Sequence, residues 1–142
     1  MKDANCIFCK IADGEIPSIK LYEDKNFVVI FDISPAAQGH AIIISKTHAK
    51  DLFELPNEYA ANIMVVAKKV GSALMEALNC DGMNILQNNG EAAGQTVFHL
   101  HVHLIPRYAD DAVNIKWNIG TADQEFLNDL SKKVEEKIAK HS

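Results

Sequence analysis

The stretch "GQTVFHLHVHLIPR", residues 94–107, carries three histidines, each separated from the next by one apolar residue. Side chains alternate across a β-strand, so His99, His101 and His103 are predicted to share one face of an extended segment. The intervening apolar residues line the opposite face, where a helix is expected to cover them. Three imidazoles in a row are unfavourable to bury and contribute little to packing. This face therefore indicates chemistry or metal binding.

A single zinc ion held by all three histidines is the first alternative. Zinc sites with three histidines and a water are hydrolytic. Ligands at positions i, i+2 and i+4 of one flat strand, however, spread over about 13 Å. Zinc–nitrogen bonds are only about 2.0–2.1 Å long. At most two neighbouring histidines are therefore expected to serve one ion.

The whole chain has the composition of an ordinary globular protein. It has 142 residues, of which 48% are apolar and 23% charged, and this predicts one domain. The formal net charge is -5 and the basic residues are scattered, which argues against a nucleic-acid or membrane surface. The N-terminus lacks the apolar core of a signal peptide, and no apolar run reaches the ~20 residues that span a bilayer. A cytoplasmic location is the expectation.

The pattern of apolar and turn residues predicts an α+β fold. Short β-branched runs bounded by turn residues indicate strands, and apolar residues at spacings of three and four indicate helices. The predicted strands are residues 20–23, 27–33, 39–46, 82–89 and 98–107, the last stopped by Pro106, and the predicted helices are residues 57–79 and 122–140. Met64 is expected in the buried stripe of the first helix. Consecutive strands joined by short turns imply a five-stranded, largely antiparallel sheet with helices packed against it.

The cysteines need an explanation other than disulfides. Cys6, Cys9 and Cys80 are an odd set, so a secreted disulfide framework is not expected. A redox pair of the thioredoxin type would need a βαβ context, which the N-terminus lacks. Two cysteines at C-x-x-C spacing require two further ligands to close a structural zinc site. Free thiols in a short helix remain the alternative.

Two stretches of the sequence resemble a known family. "HLHVHLI" resembles the His-φ-His-φ-His-φ-φ signature, with φ apolar, of the histidine triad (HIT) superfamily of nucleotidyl hydrolases and transferases. "CIFCKIADGEIPSIKLYEDKNFVVIFDISPAAQGHAIIISKTH", residues 6–48, resembles the N-terminal half of its Hint-like branch, of bacterial or archaeal type. The resemblance implies a single HIT domain over residues 1–142, with a core at 6–107 and a C-terminal extension at 108–142. It also implies one long central helix and a homodimer with a continuous ten-stranded sheet.

The resemblance implies a covalent mechanism at the α-phosphorus of a nucleotide. His101 would attack to form a nucleotidyl-imidazole, which water would then hydrolyse to a nucleoside monophosphate. His103 and His40 would bind phosphate oxygens, and Thr96 would donate a proton to the departing group. Asp32 would bind the ribose hydroxyls, and no organic cofactor is implied. The implied nucleotide-binding residues are Phe8, Ile16, Phe31, Asp32, Ile33, Asn88, Gly94, Gln95, Thr96, Val97, His101 and His103.

The resemblance also completes the cysteine pair. Some members join such cysteines to a downstream histidine and to the first histidine of the triad. The implied ligands of a structural Zn²⁺ are then Cys6, Cys9, His48 and His99. Four protein ligands leave no open position, so the ion would not take part in the chemistry.

Three functions stay open on the sequence. The first is a purine nucleotide phosphoramidase that releases AMP from adenosine 5′-phosphoramidate substrates. The second is a dinucleoside polyphosphate hydrolase, because "GQTV" and "IPR" also resemble the fragile-histidine-triad branch. That branch carries Gln where Asn88 stands, which favours the phosphoramidase. The third is a nucleotide-binding or partner-binding regulator with weak catalysis.

Overall fold

The computed structural model describes residues 2–141, which form five strands, three α-helices and one 3-10 turn. The strands are β1 (Lys20–Glu23), β2 (Phe27–Phe31), β3 (Ala41–Ser45), β4 (Gly82–Leu86) and β5 (His101–Arg107). The helices are α1 (Ile7–Ala12), α2 (Asn57–Leu78) and α3 (Gln124–Lys140), with a 3-10 turn at Glu91–Ala93. All five predicted strands and both predicted helices are therefore present. Helix α1 was not predicted, because six residues are too few to show a helical period.

The strands form one sheet in the order β1-β2-β3-β5-β4, and every neighbouring pair is antiparallel. This confirms the predicted α+β fold. Strands β3 and β5 lie side by side in the sheet, with His103 opposite Ile42 and His101 opposite Ile44. Because paired residues share a face, His101 and His103 lie on the same face as these two isoleucines.

The predicted end of the fifth strand at residue 107 is confirmed, but its predicted start and the predicted role of Pro106 are wrong. The strand begins at His101 rather than at residue 98, and Pro106 lies inside it instead of stopping it. The pairing of β5 with β3 extends only to Leu104, and Pro106 is opposite Met83 of β4. At Pro106 the strand thus borders a single neighbour, where a missing backbone N–H is tolerated.

The sheet is covered on both faces. Helix α2 covers one face, where Ile63, Val66, Ala67, Val70 and Leu74 pack with Val29, Ile43, Leu100, Val102 and Leu104. This confirms that the apolar residues between the histidines face a helix. The face that carries His101 and His103 has a second cluster, formed by Phe8, Ile11, Val28, Ile30, Ile42 and Ile44. Helix α1 therefore lies beside the histidines.

Several apolar side chains remain exposed in the single chain. Met64 of α2 is 57% exposed, so its predicted place in the buried stripe is wrong, and Val66 is buried in its stead. The apolar side of α3 is exposed along its whole length, from Phe126 to Ile138. Trp117, in the irregular segment before α3, is 82% exposed. Among residues 2–141, no helix combines the length and apolar character that crossing a bilayer requires.

Candidate functional site

The middle histidine of the triad is held by a backbone carbonyl and an aromatic ring. The Nδ1 atom of His101 lies 2.6 Å from the carbonyl oxygen of His99. Since a carbonyl only accepts, Nδ1–H must donate, and the Nε2 atom of a neutral ring keeps its lone pair. The ring of Phe8 packs edge-on against that of His101, with centroids 4.9 Å apart. Burial lowers the pKa of His101, which favours the neutral ring.

His103 contacts a fourth histidine. The Nδ1 atom of His103 lies 2.9 Å from Nε2 of His40, which is only 5% exposed. The other ring nitrogen of His40, Nδ1, accepts the backbone N–H of Ala36 at 3.0 Å. Burial, reinforced by the neighbouring His101 and His40, lowers the pKa of His103 to about 4. Burial also lowers the pKa of His40, although the carboxylate of Asp32 at 3.7 Å opposes this.

The first histidine of the triad belongs to a different cluster. His99 is fully buried, and its Nδ1 lies 3.3 Å from Sγ of Cys6, 3.4 Å from Sγ of Cys9 and 3.2 Å from Nδ1 of His48. The ligand atoms of all four residues lie within 4.8 Å of one another. The structure therefore brings together the four residues that were implied as zinc ligands.

The geometry and chemistry of these four groups fit zinc. A tetrahedral zinc with bonds of about 2.0–2.3 Å holds its sulfur and nitrogen ligands about 3.3–3.8 Å apart. Four of the six distances between the donor atoms are 3.2–3.4 Å, close to that range, and all six are within 4.8 Å. The Nε2 atom of His99 lies 2.7 Å from the carbonyl oxygen of Ser45 and must donate to it, so the lone pair is on Nδ1, toward the cluster.

Backbone N–H groups point at the two sulfur atoms as well. The amide of Cys9 donates to Sγ of Cys6, and the amide of Asp3 donates to Sγ of Cys9, both at 3.4 Å. Such donors stabilise thiolates, the form in which cysteine binds a metal. Cys80 lies apart and donates to the carbonyl of Gly82 instead. At Cys9 burial raises the pKa of the thiol, and the N–H of Asp3 opposes this.

The loop before the triad is shaped by two glycines and one buried amide. Gly90 and Gly94 have φ angles of +89° and +94°, which side chains rarely tolerate. Gln95 is 3% exposed: its Oε1 accepts the N–H of Gly90, and its Nε2 donates to the carbonyls of Lys50 and Val97. These three hydrogen bonds of the Gln95 side chain stabilise the conformation of the loop. Its implied direct contact with a nucleotide stays untested.

The remaining implied nucleotide-binding residues differ in exposure. Asp32 is half-buried at the end of β2, and its Oδ1 accepts the N–H of Ser34. Ile16 and Val97 pack against the apolar cluster that contains Phe8, whereas Ile33 is 96% exposed. Phe31, Asn88 and Gly94 are half-buried or exposed, and Thr96 is exposed. The structure therefore places Ile33 outside the apolar cluster of Phe8. Phe31 packs against the other cluster, on the face of the sheet that α2 covers, so its implied place beside Phe8 is wrong.

Sequence reasoning missed the two backbone groups that fix the histidine rings. The carbonyl of Ser45 orients His99, and the N–H of Ala36 binds His40. Any residue supplies a backbone carbonyl, and any residue but proline supplies an N–H, so residue types give no signal for either group. Only the local chain path determines them.

Comparison with known proteins agrees with this geometry. A family model described as the HIT domain matches residues 13–110. The chain is 42% identical over 137 residues to a Saccharomyces cerevisiae protein named adenosine 5′-monophosphoramidase HNT1, covering 96% of this chain and 84% of that one.

Solved structures show the same fold. The Streptococcus mutans protein SMU.412c superposes with a TM-score of 0.92 at 42% identity, covering 96% of this chain and 87% of that one. A zinc-bound histidine triad family protein from Mycobacterium smegmatis superposes with a TM-score of 0.74 at 37% identity, covering 97% and 98%. The family model matches more than half of the chain, and two histidines of the triad lie on β5, so the chain belongs to the HIT family and to its Hint-like group.

Proposed function

We propose that this protein is a purine nucleotide phosphoramidase that works through a covalent nucleotidyl-histidine. The observation that carries the proposal is the hydrogen bond from Nδ1–H of His101 to the carbonyl of His99. It fixes the ring with its lone pair on Nε2, which is the state that a nitrogen nucleophile requires. The lowered pKa of the buried ring keeps it neutral.

The reaction proceeds in two displacements at the α-phosphorus. In the first, Nε2 of His101 forms a bond to phosphorus, and the phosphorus–nitrogen bond to the leaving amine breaks. The exposed hydroxyl of Thr96 is the proposed proton donor to that amine. In the second, water attacks phosphorus and its proton restores the hydroxyl of Thr96. The bond to Nε2 breaks, and the nucleoside monophosphate leaves while His101 regains its lone pair. Splitting one difficult step in two lowers each barrier.

The phosphate charge is stabilised by neutral donors. We place His103 on a phosphate oxygen, because it shares the face of His101 and their ring centroids are 4.9 Å apart. We propose that the loop at residues 88–97 contributes further main-chain N–H donors, other than those of Gly90, Ala93, Gly94 and Gln95, which bond within the loop. Asn88, which lies against Gly94, and Gln95 support the shape of that loop.

The nucleoside is proposed to lie beside α1 and the end of β2. The carboxylate of Asp32 accepts from the ribose hydroxyls. Phe8, Ile16 and Val97 supply apolar surface for the base, with Ile33 at the exposed edge. Apolar surface with few polar groups selects a large base better than it distinguishes one purine from another.

We also propose that Cys6, Cys9, His48 and His99 hold a structural zinc ion. Zinc would supply only a rigid tetrahedral junction between α1, the segment after β3 and the entry to β5. The junction matters for catalysis because the carbonyl of His99, one of the four residues, orients His101. The metal would thus fix the residue that positions the nucleophile.

The first experiment compares substrates. We expect kcat/KM for adenosine 5′-phosphoramidate to exceed that for diadenosine polyphosphates by roughly 100-fold, because a site built for one bond type discriminates strongly in the transition state. Equal or reversed values would support the dinucleoside polyphosphate hydrolase. Tight AMP binding without turnover of either substrate would support the regulator.

A homodimer is the proposed assembly. Strand β4 is an edge of the sheet formed within residues 2–141, so two copies of β4 can join their sheets into ten strands. Beside this edge, Met64 and Ile85 are 57% and 44% exposed and border an open groove with Leu52, Ala60 and Ile63. Exposed apolar surface of this kind is typical of an interface.

Replacing both Met64 and Ile85 by Lys is expected to produce monomers. Two buried, unpaired charges oppose association, and we expect the dimer Kd to rise roughly 30-fold or more. Light scattering across a concentration series measures this. Val65→Lys is the matched control, because Val65 is 62% exposed on α2 but borders a different groove. A double variant that stays dimeric would contradict this interface.

A further inference from the structure

Three side chains near the nucleophile are unusually close together. The ligand-type atoms of Asp32, His40 and His103 lie within 4.8 Å of one another, which resembles a two-histidine, one-carboxylate metal site. The two histidines are linked directly, Nε2 of His40 to Nδ1 of His103, at 2.9 Å. The hydrogen bonds of these rings show whether the cluster is suited to a metal ion or is a chain of histidines whose protons are fixed.

The first bond fixes the proton of His40. The backbone N–H of Ala36 donates to Nδ1 of His40 at 3.0 Å, so Nδ1 carries a lone pair. A protonated His40 is excluded, because its Nδ1–H would point at the N–H of Ala36. His40 is therefore neutral, with its one ring proton on Nε2. A metal cannot bind that nitrogen while it carries the proton, which argues against a cation at this cluster.

The second hydrogen bond fixes which ring nitrogen of His103 carries the proton. Nε2–H of His40 is directed at Nδ1 of His103, which must accept. The single proton of a neutral His103 then lies on Nε2, at the opposite edge of the ring. A positively charged His103 is also excluded, because it would carry a hydrogen on Nδ1. Burial favours the same neutral state for both rings by lowering their pKa values.

We propose that His40 is a positioning residue that fixes His103 as an Nε2–H donor to the phosphate, through a chain that begins at the N–H of Ala36. This rests on the proposed function for the role of His103, and it replaces a direct contact of His40 with phosphate. His40 is 5% exposed and both of its ring nitrogens bind protein groups, which leaves it poorly placed to touch a ligand. His103 is less buried and shares the nucleophile's face.

The test uses two amide variants and the ring nitrogens of the ligand-free protein. The amide nitrogen of Gln overlaps Nε2 of His, so His40→Gln keeps a donor toward His103. Asn is one carbon shorter, so His40→Asn loses it. Long-range ¹H–¹⁵N spectra of histidine-labelled protein at neutral pH identify which nitrogen carries each proton. This readout is independent of catalysis, so it stays informative if the proposed substrate is wrong.

We expect His103 in the wild type to carry its proton on Nε2 and His40 to do the same. The His40→Asn variant should show His103 as a mixture of tautomers and lose roughly 10- to 100-fold in kcat, with KM little changed. The His40→Gln variant should restore the single tautomer and most of kcat. Equal thermal stability of the two variants would separate this effect from a folding defect.

Three results would overturn the proposal. A proton on Nδ1 of His103 in the wild type would mean that His103 donates to His40, opposite to the proposed direction of this hydrogen bond. Loss of activity in both variants while His103 keeps its Nε2 proton would give His40 a direct role on phosphate. Selective broadening of the His40 and His103 resonances by added Mn²⁺ would show a cation site instead.

Discussion

Replacing His101 by Ala is expected to lower kcat/KM for adenosine 5′-phosphoramidate by at least about 1,000-fold, because the reaction loses its nucleophile. Nucleotide affinity should change little, since the proposed ribose and base contacts come from Asp32, Phe8 and Ile16. Steady-state kinetics and AMP titration measure the two effects separately. A lower kcat/KM with unchanged AMP affinity distinguishes loss of the nucleophile from loss of the folded binding site.

The control for this substitution is His141→Ala. His141 is exposed at the end of α3 and lies outside both histidine clusters, so its loss should leave kcat/KM unchanged. A His101→Ala variant that keeps more than a tenth of the wild-type kcat, after contaminating wild type is excluded, would contradict nucleophilic attack by His101.

Replacing Cys9 by Ser is expected to remove the bound metal and destabilise the fold. Cys9 is 3% exposed, and its Sγ contacts Nδ1 of both His48 and His99. Because structural zinc binds the folded state only, its loss should lower the free energy of unfolding by about 4 kcal/mol and Tm by roughly 10 °C. Elemental analysis of the purified protein and thermal denaturation measure these effects. Chelation of the wild type should reproduce the shift in Tm.

Cys80→Ser is the matched control, since Cys80 is also a free thiol but bonds only the local chain. It should keep one zinc per chain and the wild-type Tm. Substoichiometric metal in freshly purified wild type, together with an unchanged Tm on chelation, would contradict the zinc proposal and favour two free thiols.

The alternation of side chains was enough to predict much of the face that carries His101 and His103. His101 and His103 share a face of β5, and the apolar residues between them pack against α2, as the spacing indicated. The family resemblance, rather than any spacing, grouped Cys6, Cys9, His48 and His99, which are separated by up to 93 residues in the chain. Periodicity reports on one element at a time and carries no information about such distant contacts.

The failures of the sequence prediction have identifiable physical causes. His99 precedes β5 because Leu100 bonds the carbonyl of Ala49, in the segment after β3, instead of extending the ladder. Pro106 remains in the strand because only β4 lies opposite it. Met64 fits a helical stripe by spacing, yet it lies outside the area that the sheet covers. Each depends on where a neighbouring element ends, which local sequence does not specify.

The most direct test of the central claim is intact-mass spectrometry after rapid quenching of the enzyme with adenosine 5′-phosphoramidate. The account predicts a transient increase equal to one adenylyl group on the wild type, absent from His101→Ala, and decaying at the rate of AMP release. Fragmentation should place the group on His101. Full turnover with no adduct at any quench time, or an adduct on another residue, would contradict covalent catalysis by His101.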